Sequence, residues 1–315
     1  MIKKILALLL SLVLVCAFAA CKGKEQEGNN ESSKVQFDKY SFADYHGEGS
    51  IKDIEKIALS DELSEKCESY KFSYLSDDVR VKAYISIPLE CIESETPYQC
   101  IIYNRGGNHN IGWLGDEDTA KICSATNRIV VASQYRGADG SEGTDEFGGK
   151  DLQDVISLID LCENEFYFAD ITNLCMIGVS RGGMMSYLAA HKDERVKGVV
   201  AVAAVTDLAD AYNAREDMRD ILWETIGGSP EELPEEYAKR SAINFAEELD
   251  VPVFIIHDKG DGMVPVSQAR AMNEKLKDSK HGCSMILHSD SIHGLHEEDI
   301  PSIVEWLDQA VPVII

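Results

Sequence analysis

The chain has 315 residues, of which 44% are hydrophobic, and this is enough to bury a sizeable core. Its 55 acidic residues outnumber the 30 basic ones, so the formal net charge is -25. Because an acidic surface repels phosphate groups, the composition argues against partners such as nucleic acids and anionic lipid headgroups.

The N-terminal segment does not have the composition of a folded domain. Two lysines precede an apolar run, Ile5 to Val15, which predicts a secretory signal peptide over residues 1–20. The stretch Phe18 to Cys21 resembles a bacterial lipobox, which implies lipidation of Cys21; cleavage at a nearby ordinary signal site is the alternative. A polar tether follows, so residues 21–49 are predicted to anchor the chain at the outer face of a bacterial cell membrane.

The cysteines do not indicate a metal or redox motif. Seven of the nine lie beyond Cys21, several of them within apolar patterns, and these are interpreted mainly as small buried hydrophobic residues. Cys91 and Cys100 flank a predicted turn, so a disulfide between them is an alternative. Since the chain has no CxxC pair, we predict no zinc site and no other cofactor.

From about residue 50 to the end, at 315, strands alternate with helices, which predicts one α/β domain. The predicted strands are 80–88, 100–103, 128–132, 173–179, 196–205, 251–257 and 283–288, and the predicted helices are 151–166, 182–191, 267–277 and 300–310. This order indicates a mostly parallel sheet with helices on both faces. Residues 206–248 interrupt it with a helical, acidic insertion that is predicted to form a small cap over the site.

The segment 178–183 carries the strongest chemical signal. It reads GVSRGG and joins a predicted strand to a predicted helix, the context of a nucleophile elbow in the α/β-hydrolase fold. Ser180 is then the nucleophile, and Gly178 and Gly182 avoid collisions at the tight turn. The backbone N–H of Arg181, at the helix N-terminus, is predicted to stabilise an oxyanion.

A serine nucleophile needs a base and an orienting acid, which follow it in the order Asp, then His, in this fold. Asp261 follows the strand 251–257, and His293 follows the strand 283–288, so we predict that they are the acid and the base. Asp258 is an alternative acid, and His288 or His296 is an alternative base. A metal site built from these three histidines is a further alternative, but their spacing matches no familiar ligand motif.

Two glycine-containing loops complete the predicted site. The loop 104–108 follows a central strand, and the N–H of either Gly106 or Gly107 is predicted to be the second oxyanion donor. The acidic loop 139–145 lacks the spacing of a calcium loop and is interpreted as a turn near the active site.

Residues 80–310 resemble the catalytic domain of the prolyl oligopeptidase family of serine peptidases. The matching segments are 103–107, 135–137, 140–143, 147–151, 178–183, 237–241, 257–265 and 293–294. The resemblance implies the same triad of Ser180, Asp261 and His293. The family often has His where Arg105 stands and Gly where Asp258 stands, and the segment before residue 80 is too short for the family's propeller domain.

The predicted function is therefore a serine hydrolase that forms an acyl-enzyme. The resemblance favours a peptidase acting on small peptides, and a carboxylesterase acting on small esters is the alternative. A non-catalytic surface-binding protein is a more remote alternative. The sequence gives no indication of the oligomeric state.

Overall fold

The computed structural model describes Phe42 and residues 50–310, apart from residues 93, 95, 109 and 110. The predicted signal peptide, Cys21 and nearly all of the tether lie outside the described residues. Within the described part of the chain, no helix combines the length and the apolar character that a membrane span requires.

Nine strands form one sheet. They are β1 (Ile51–Lys56), β2 (Cys67–Ser76), β3 (Val79–Pro88), β4 (Tyr98–Asn104), β5 (Ile129–Ser133), β6 (Ala169–Val179), β7 (Val196–Val202), β8 (Val253–Asp258) and β9 (Cys283–His288). Their spatial order is β1-β2-β3-β5-β4-β6-β7-β8-β9. The strands β1, β2, β3 and β5 pair antiparallel, and every later pairing is parallel.

Helices cover both faces of this sheet. They are α1 (Asp61–Ser64), α2 (Leu89–Ile92), α3 (Asp118–Thr126), α4 (Asp151–Asn164), α5 (Arg181–Lys192), α6 (Leu208–Ala214), α7 (Glu216–Ile226), α8 (Pro234–Lys239), α9 (Val266–Leu276) and α10 (Ile300–Ala310). One apolar core contains side chains of α4, α5 and α9, and a second contains side chains of α3 and α10. The predicted mostly parallel α/β architecture is confirmed.

Side-chain alternation along the central strands produces these two cores. In β4, Ile102 packs into the first core and Ile101 into the second, because successive side chains of a strand point to opposite faces. In β7, Val199 and Val200 divide in the same way. Buried on both sides, these strands read as continuous apolar runs in the sequence.

The segment 206–248 lies between β7 and β8. It contains α6, α7 and α8, followed by two short 3-10 helices, Ala242–Asn244 and Ala246–Glu248. The Tyr237 ring is buried, and its hydroxyl donates to the Gly228 carbonyl at 3.0 Å. Arg215 Nη1 donates to the Met263 carbonyl at 3.3 Å, so the segment contacts the loop that follows β8.

The alternative disulfide between Cys91 and Cys100 is not formed, since both thiols are free. The Cys100 Sγ atom lies instead 3.8 Å from the Cys162 Sγ atom, between β4 and α4. Cys100 and Cys162 are almost completely buried, which fits the interpretation of the cysteines as small apolar core residues.

Candidate active site

Ser180 occupies the sharp turn between β6 and α5. Its backbone angles, φ 58° and ψ -121°, are unusual for a residue with a side chain and persist only where the surrounding structure holds them. The Ser180 N–H donates to the Val202 carbonyl of β7 at 2.8 Å. The turn is thereby fixed at the carboxyl edge of the sheet, where Ser180 is partly exposed.

Close backbone approach explains both glycines of the elbow. A Cβ atom on Gly178 would lie 2.1 Å from the Gly182 carbonyl oxygen, and one on Gly182 would lie 1.8 Å from the Asn104 carbonyl oxygen. Neither distance is physically possible, so any larger residue would push α5 away from the sheet. The G-x-S-x-G spacing is therefore a packing requirement of the turn that presents Ser180.

Asp261 and His293 are brought together by the loops after β8 and β9. The Asp261 Oδ1 atom accepts from the backbone N–H groups of Met263 and Val264, at 2.7 and 3.1 Å. Its Oδ2 atom lies 2.8 Å from His293 Nδ1. Because a carboxylate oxygen only accepts, Nδ1 carries a proton, and in the neutral imidazole the lone pair is then on Nε2, which is the tautomer that a general base needs.

The structure does not join all three predicted triad residues by hydrogen bonds. Among the described residues, the Asp261–His293 bond is formed, and no hydrogen bond links the Ser180 hydroxyl to His293. Apo active sites commonly have a long contact at this position that shortens when substrate binds. The Ser180–His293 partnership therefore stays a prediction.

The alternative acid and bases have other partners. His296 Nε2 lies 2.7 Å from Asp258 Oδ1, and His288 Nε2 lies 2.8 Å from Asp299 Oδ1. Both imidazoles thus direct Nε2 towards a carboxylate, whereas His293 uses Nδ1. Within the described part of the chain, no group of three His, Cys, Asp or Glu side chains is arranged to hold a metal ion.

His257 is a second histidine beside Asp261 that sequence reasoning did not connect with the site. Its completely buried ring lies with Nε2 2.9 Å from the Val264 carbonyl and 3.3 Å from Asp261 Oδ2. Its Nδ1 atom is buried without a hydrogen-bond partner. The position of His257 in β8, four residues before Asp261, is the sequence feature that allows this contact.

The loop that carries Gly106 and Gly107 lies against the nucleophile. A Cβ atom on Gly106 would lie 3.3 Å from the Ser180 Cβ atom. Among the described residues, neither glycine N–H donates a hydrogen bond. Both groups therefore remain candidates for the second oxyanion donor, beside the N–H of Arg181, which as the first residue of α5 has no acceptor within the helix.

Arg105 supports this loop from inside the protein. Its Nε and Nη2 atoms donate to the Gln134 carbonyl at 2.9 and 2.7 Å, and Nη1 donates to the Gly106 carbonyl at 2.8 Å. The guanidinium also lies 4.8 Å from the centre of the Tyr135 ring. Burial, together with the charge of Arg181, lowers the pKa of Arg105 to about 10.

The side chain of Arg181 forms a buried ionic network that sequence reasoning missed, since it considered only the backbone N–H. The guanidinium donates to both oxygens of Asp145, at 2.7 and 2.8 Å, and to Asp151 at 2.6 Å. Its Nη1 atom also contacts the Gly107 carbonyl at 3.3 Å. Burial opposes ionisation of Asp145, but the Arg181 charge outweighs it and lowers the pKa of Asp145.

This network connects the start of α5, the loop 139–151 and the oxyanion loop. The acidic loop 139–145 thus contributes Asp145, whose carboxylate binds the residue that follows Ser180. The available sequence signal was the family-like segment 147–151, which ends in Asp151. Nothing in the linear sequence showed that the Asp151 carboxylate faces Arg181.

Comparisons with known proteins identify the family of this chain. The model of the prolyl oligopeptidase family matches residues 116–311. The uncharacterized peptidase YtmA of Bacillus subtilis (strain 168) is 29% identical over 241 residues, which cover 76% of this chain and 91% of that protein.

Two solved structures share the fold. The acylaminoacyl peptidase of Pyrococcus horikoshii superposes with a TM-score of 0.68 at 19% identity, over 79% of this chain and 42% of that one. The acetyl xylan esterase from Paenibacillus sp. R4 superposes with a TM-score of 0.65 at 14% identity, over 82% of this chain and 89% of that one. This chain thus spans less than half of the larger peptidase.

The family model covers more than half of the chain and includes the elbow, the Asp261 loop and the His293 loop. Its match agrees with the nine-stranded, mostly parallel fold. The chain therefore belongs to the prolyl oligopeptidase family and is a serine hydrolase.

Proposed function

We propose that the chain is a serine peptidase that cleaves small peptides through an acyl-enzyme on Ser180. The observation that carries the proposal is the short contact between Asp261 Oδ2 and His293 Nδ1, which leaves Nε2 free as a base. The strained Ser180 turn lies at the same carboxyl edge of the sheet. YtmA, which this chain matches over most of YtmA's length, is named as a peptidase.

In the proposed mechanism, His293 Nε2 takes the Ser180 proton as Oγ attacks the peptide carbonyl. The oxyanion accepts from the N–H of Arg181 and from that of Gly106 or Gly107, and each donor contributes on the order of 3 kcal/mol to transition-state stabilisation. His293 then gives the proton to the leaving nitrogen. Water attacks the acyl-enzyme by the reverse path and restores Ser180.

Apolar side chains beside the catalytic loops indicate the character of the substrate. Met263 is 42% exposed and donates its N–H to Asp261, while Ile292 is 50% exposed and directly precedes His293. Trp223, on α7 of the 206–248 segment, is 55% exposed. We infer that this segment acts as a cap and that substrates with apolar groups bind beneath it.

The nucleophile is tested by substitution of Ser180→Ala. We expect the variant to lose labelling by a fluorophosphonate probe and to lose about 10⁴-fold or more in kcat, because the attacking oxygen is gone. Ser267→Ala, an exposed serine on α9, is the matched control and should keep wild-type labelling. An unlabelled wild type would show that the chain is not an active serine hydrolase.

A carboxylesterase is the second candidate, and the likeness to an acetyl xylan esterase along 89% of that chain favours it. Aminoacyl-amide and short acyl-ester substrates should therefore be assayed side by side. The peptidase proposal requires Ser180-dependent turnover of amides. Turnover of esters alone would reject it and leave the esterase.

We also propose that the chain is exported and held at the outer face of the bacterial membrane by a lipid on Cys21. The support is the apolar N-terminal run and the lipobox-like stretch Phe18 to Cys21, together with the polar residues that follow. A lipid at this position would tether the catalytic domain close to the membrane surface.

A further inference from the structure

Asp258 ends β8 and is almost completely buried, yet it is not the residue that bonds His293. Its Oδ2 atom accepts from the Ile292 backbone N–H at 2.7 Å, and its Oδ1 atom lies 2.7 Å from His296 Nε2. One carboxylate therefore binds the chain on both sides of His293. The donors lie one residue before the histidine and three residues after it.

Backbone contacts reinforce this attachment. The Lys259 N–H donates to the His288 carbonyl at 3.0 Å, and the Gly260 N–H donates to the Asp290 carbonyl at 2.9 Å. The residues after β8 thus run alongside the loop after β9. Asp258 adds side-chain hydrogen bonds to Ile292 and His296, which lie before and after His293 in the chain.

His296 is held in turn by the 3-10 helix Glu297–Asp299. Its backbone N–H donates to Asp299 Oδ2 at 3.3 Å, and its ring centre lies 4.2 Å from that of His288. His288 contacts Asp299, and its Nδ1 atom lies 3.6 Å from a Glu298 carboxylate oxygen. The charged and titratable groups around the Asp258–His296 contact are therefore His288, Glu298 and Asp299.

We propose that Asp258 is a positioning residue for the base, which it holds in place through Ile292 and His296 without contacting the substrate. This rests on the proposed role of His293. A carboxylate suits the position because it accepts two hydrogen bonds at once, and an amide side chain supplies only one acceptor oxygen.

Small displacements of a catalytic base slow the reaction strongly, since a misplacement of about 1 Å can lower the rate about 10²-fold. The Asp261 contact orients the His293 ring, and Asp258 fixes the backbone that carries the ring. Loss of Asp258 should therefore slow the chemical step and leave substrate binding nearly unchanged.

The test compares Asp258→Asn and His296→Phe, whose ring cannot donate a hydrogen bond to Asp258, with the control Glu297→Gln. The control removes an exposed carboxylate from the same region, where it has no role in the attachment. For Asp258→Asn we expect kcat to fall about tenfold or more, KM to stay within about twofold, and the rate of fluorophosphonate labelling to fall with kcat. Glu297→Gln should match the wild type in all three measurements.

The double variant Asp258→Asn/His296→Phe tests whether the two residues act through one contact. We expect its kcat to be no lower than that of Asp258→Asn alone, within about twofold, because the second change removes a link that is already broken. Multiplication of the two separate losses would overturn a shared role.

Thermal unfolding of each variant separates positioning from folding. If Asp258→Asn is unfolded at the assay temperature, His296→Phe, whose change lies nearer the surface, decides the question by its kcat. Wild-type kcat in a folded Asp258→Asn or, failing that, in His296→Phe would overturn the proposal. If the wild type is unlabelled, or if Ser180→Ala is still labelled, the proposed function fails instead, so the two failures are distinguishable.

Discussion

Asp258 and Asp261 leave the same end of β8, yet each bonds a different histidine. Asp261 uses Oδ1 for two backbone N–H groups and Oδ2 for His293. Asp258 accepts from His296 and from the backbone of Ile292. Both are aspartates at a strand end in sequence, and their different roles follow from which atoms of the neighbouring loop face each carboxylate.

The Asp258–His296 contact predicts a pH window for the His293 loop. Burial disfavours the Asp258 carboxylate, but hydrogen bonds from His296 and Ile292 outweigh it and lower its pKa. The hydrogen bond to Asp258 raises the pKa of His296, and the charges of Asp299 and Glu298 add to this effect. Asp258 thus stabilises the loop until pH falls through its lowered pKa, and His296 does so until pH rises through its raised pKa.

We therefore expect the Ile292 amide to be best protected from hydrogen exchange between about pH 4 and 6.5, the ordinary pKa values of Asp and His. Protection should decrease outside this window once the intrinsic exchange rate has been corrected for pH. In Asp258→Asn the window should disappear, because the carboxylate is gone. Protection that does not vary with pH in the wild type would contradict this coupling.

At the scale of elements, the site is built from loops on a rigid sheet. Ser180 follows β6, Asp261 follows β8 and His293 follows β9, so each lies at the carboxyl edge, where ligands bind in parallel sheets. The 206–248 segment contacts this edge through the bond from Arg215 to the Met263 carbonyl. The exposed Trp223 of this segment is therefore our candidate for a residue that contacts the substrate.

Trp223→Ala tests the proposed cap. We expect KM for substrates with large apolar groups to rise about threefold to tenfold, because apolar area is no longer buried on binding. The kcat value should change by less than about twofold. Leu75→Ala, an exposed apolar residue of β2, is the matched control and should leave KM unchanged. An unchanged KM in Trp223→Ala would exclude this contact.

At the scale of the whole molecule, the catalytic domain and the N-terminal segment have different compositions. The domain buries apolar side chains on both faces of a nine-stranded sheet. Residues 22–34 contain no large apolar side chain, as expected of a tether. The proposed anchor at Cys21 would keep an acidic enzyme next to a membrane whose headgroups its surface does not attract.

Expression of the full chain in bacteria tests the anchor. We expect the wild type in the membrane fraction with a lipid on Cys21, and we expect Cys21→Ser to lose that lipid and leave the fraction. Cys16→Ser changes a cysteine within the predicted signal peptide and should behave as the wild type. Detergent-free release of the wild type would indicate ordinary signal cleavage.

Most of the predicted strands and helices agree with the structure to within a few residues, because the apolar patterns were long and distinct. Residues 173–179 were predicted as a strand and lie within β6, and the predicted strand 196–205 corresponds to β7, which ends at Val202. The sequence patterns gave no bounds for the antiparallel strands β1 and β2, and α3 was not predicted. The helix α3 buries only four of its nine residues, so its apolar pattern is weak.

The sequence by itself determined the alternating α/β order, the elbow at Ser180 and the candidates that follow it, because these depend on local spacing and chain order. Tertiary structure decided which carboxylate faces which imidazole: Asp261 meets His293, and Asp258 meets His296. It also placed the Arg181 guanidinium between Asp145 and Asp151. Such pairings join residues far apart in the chain, and only the packing of loops at one sheet edge brings their atoms within hydrogen-bonding distance.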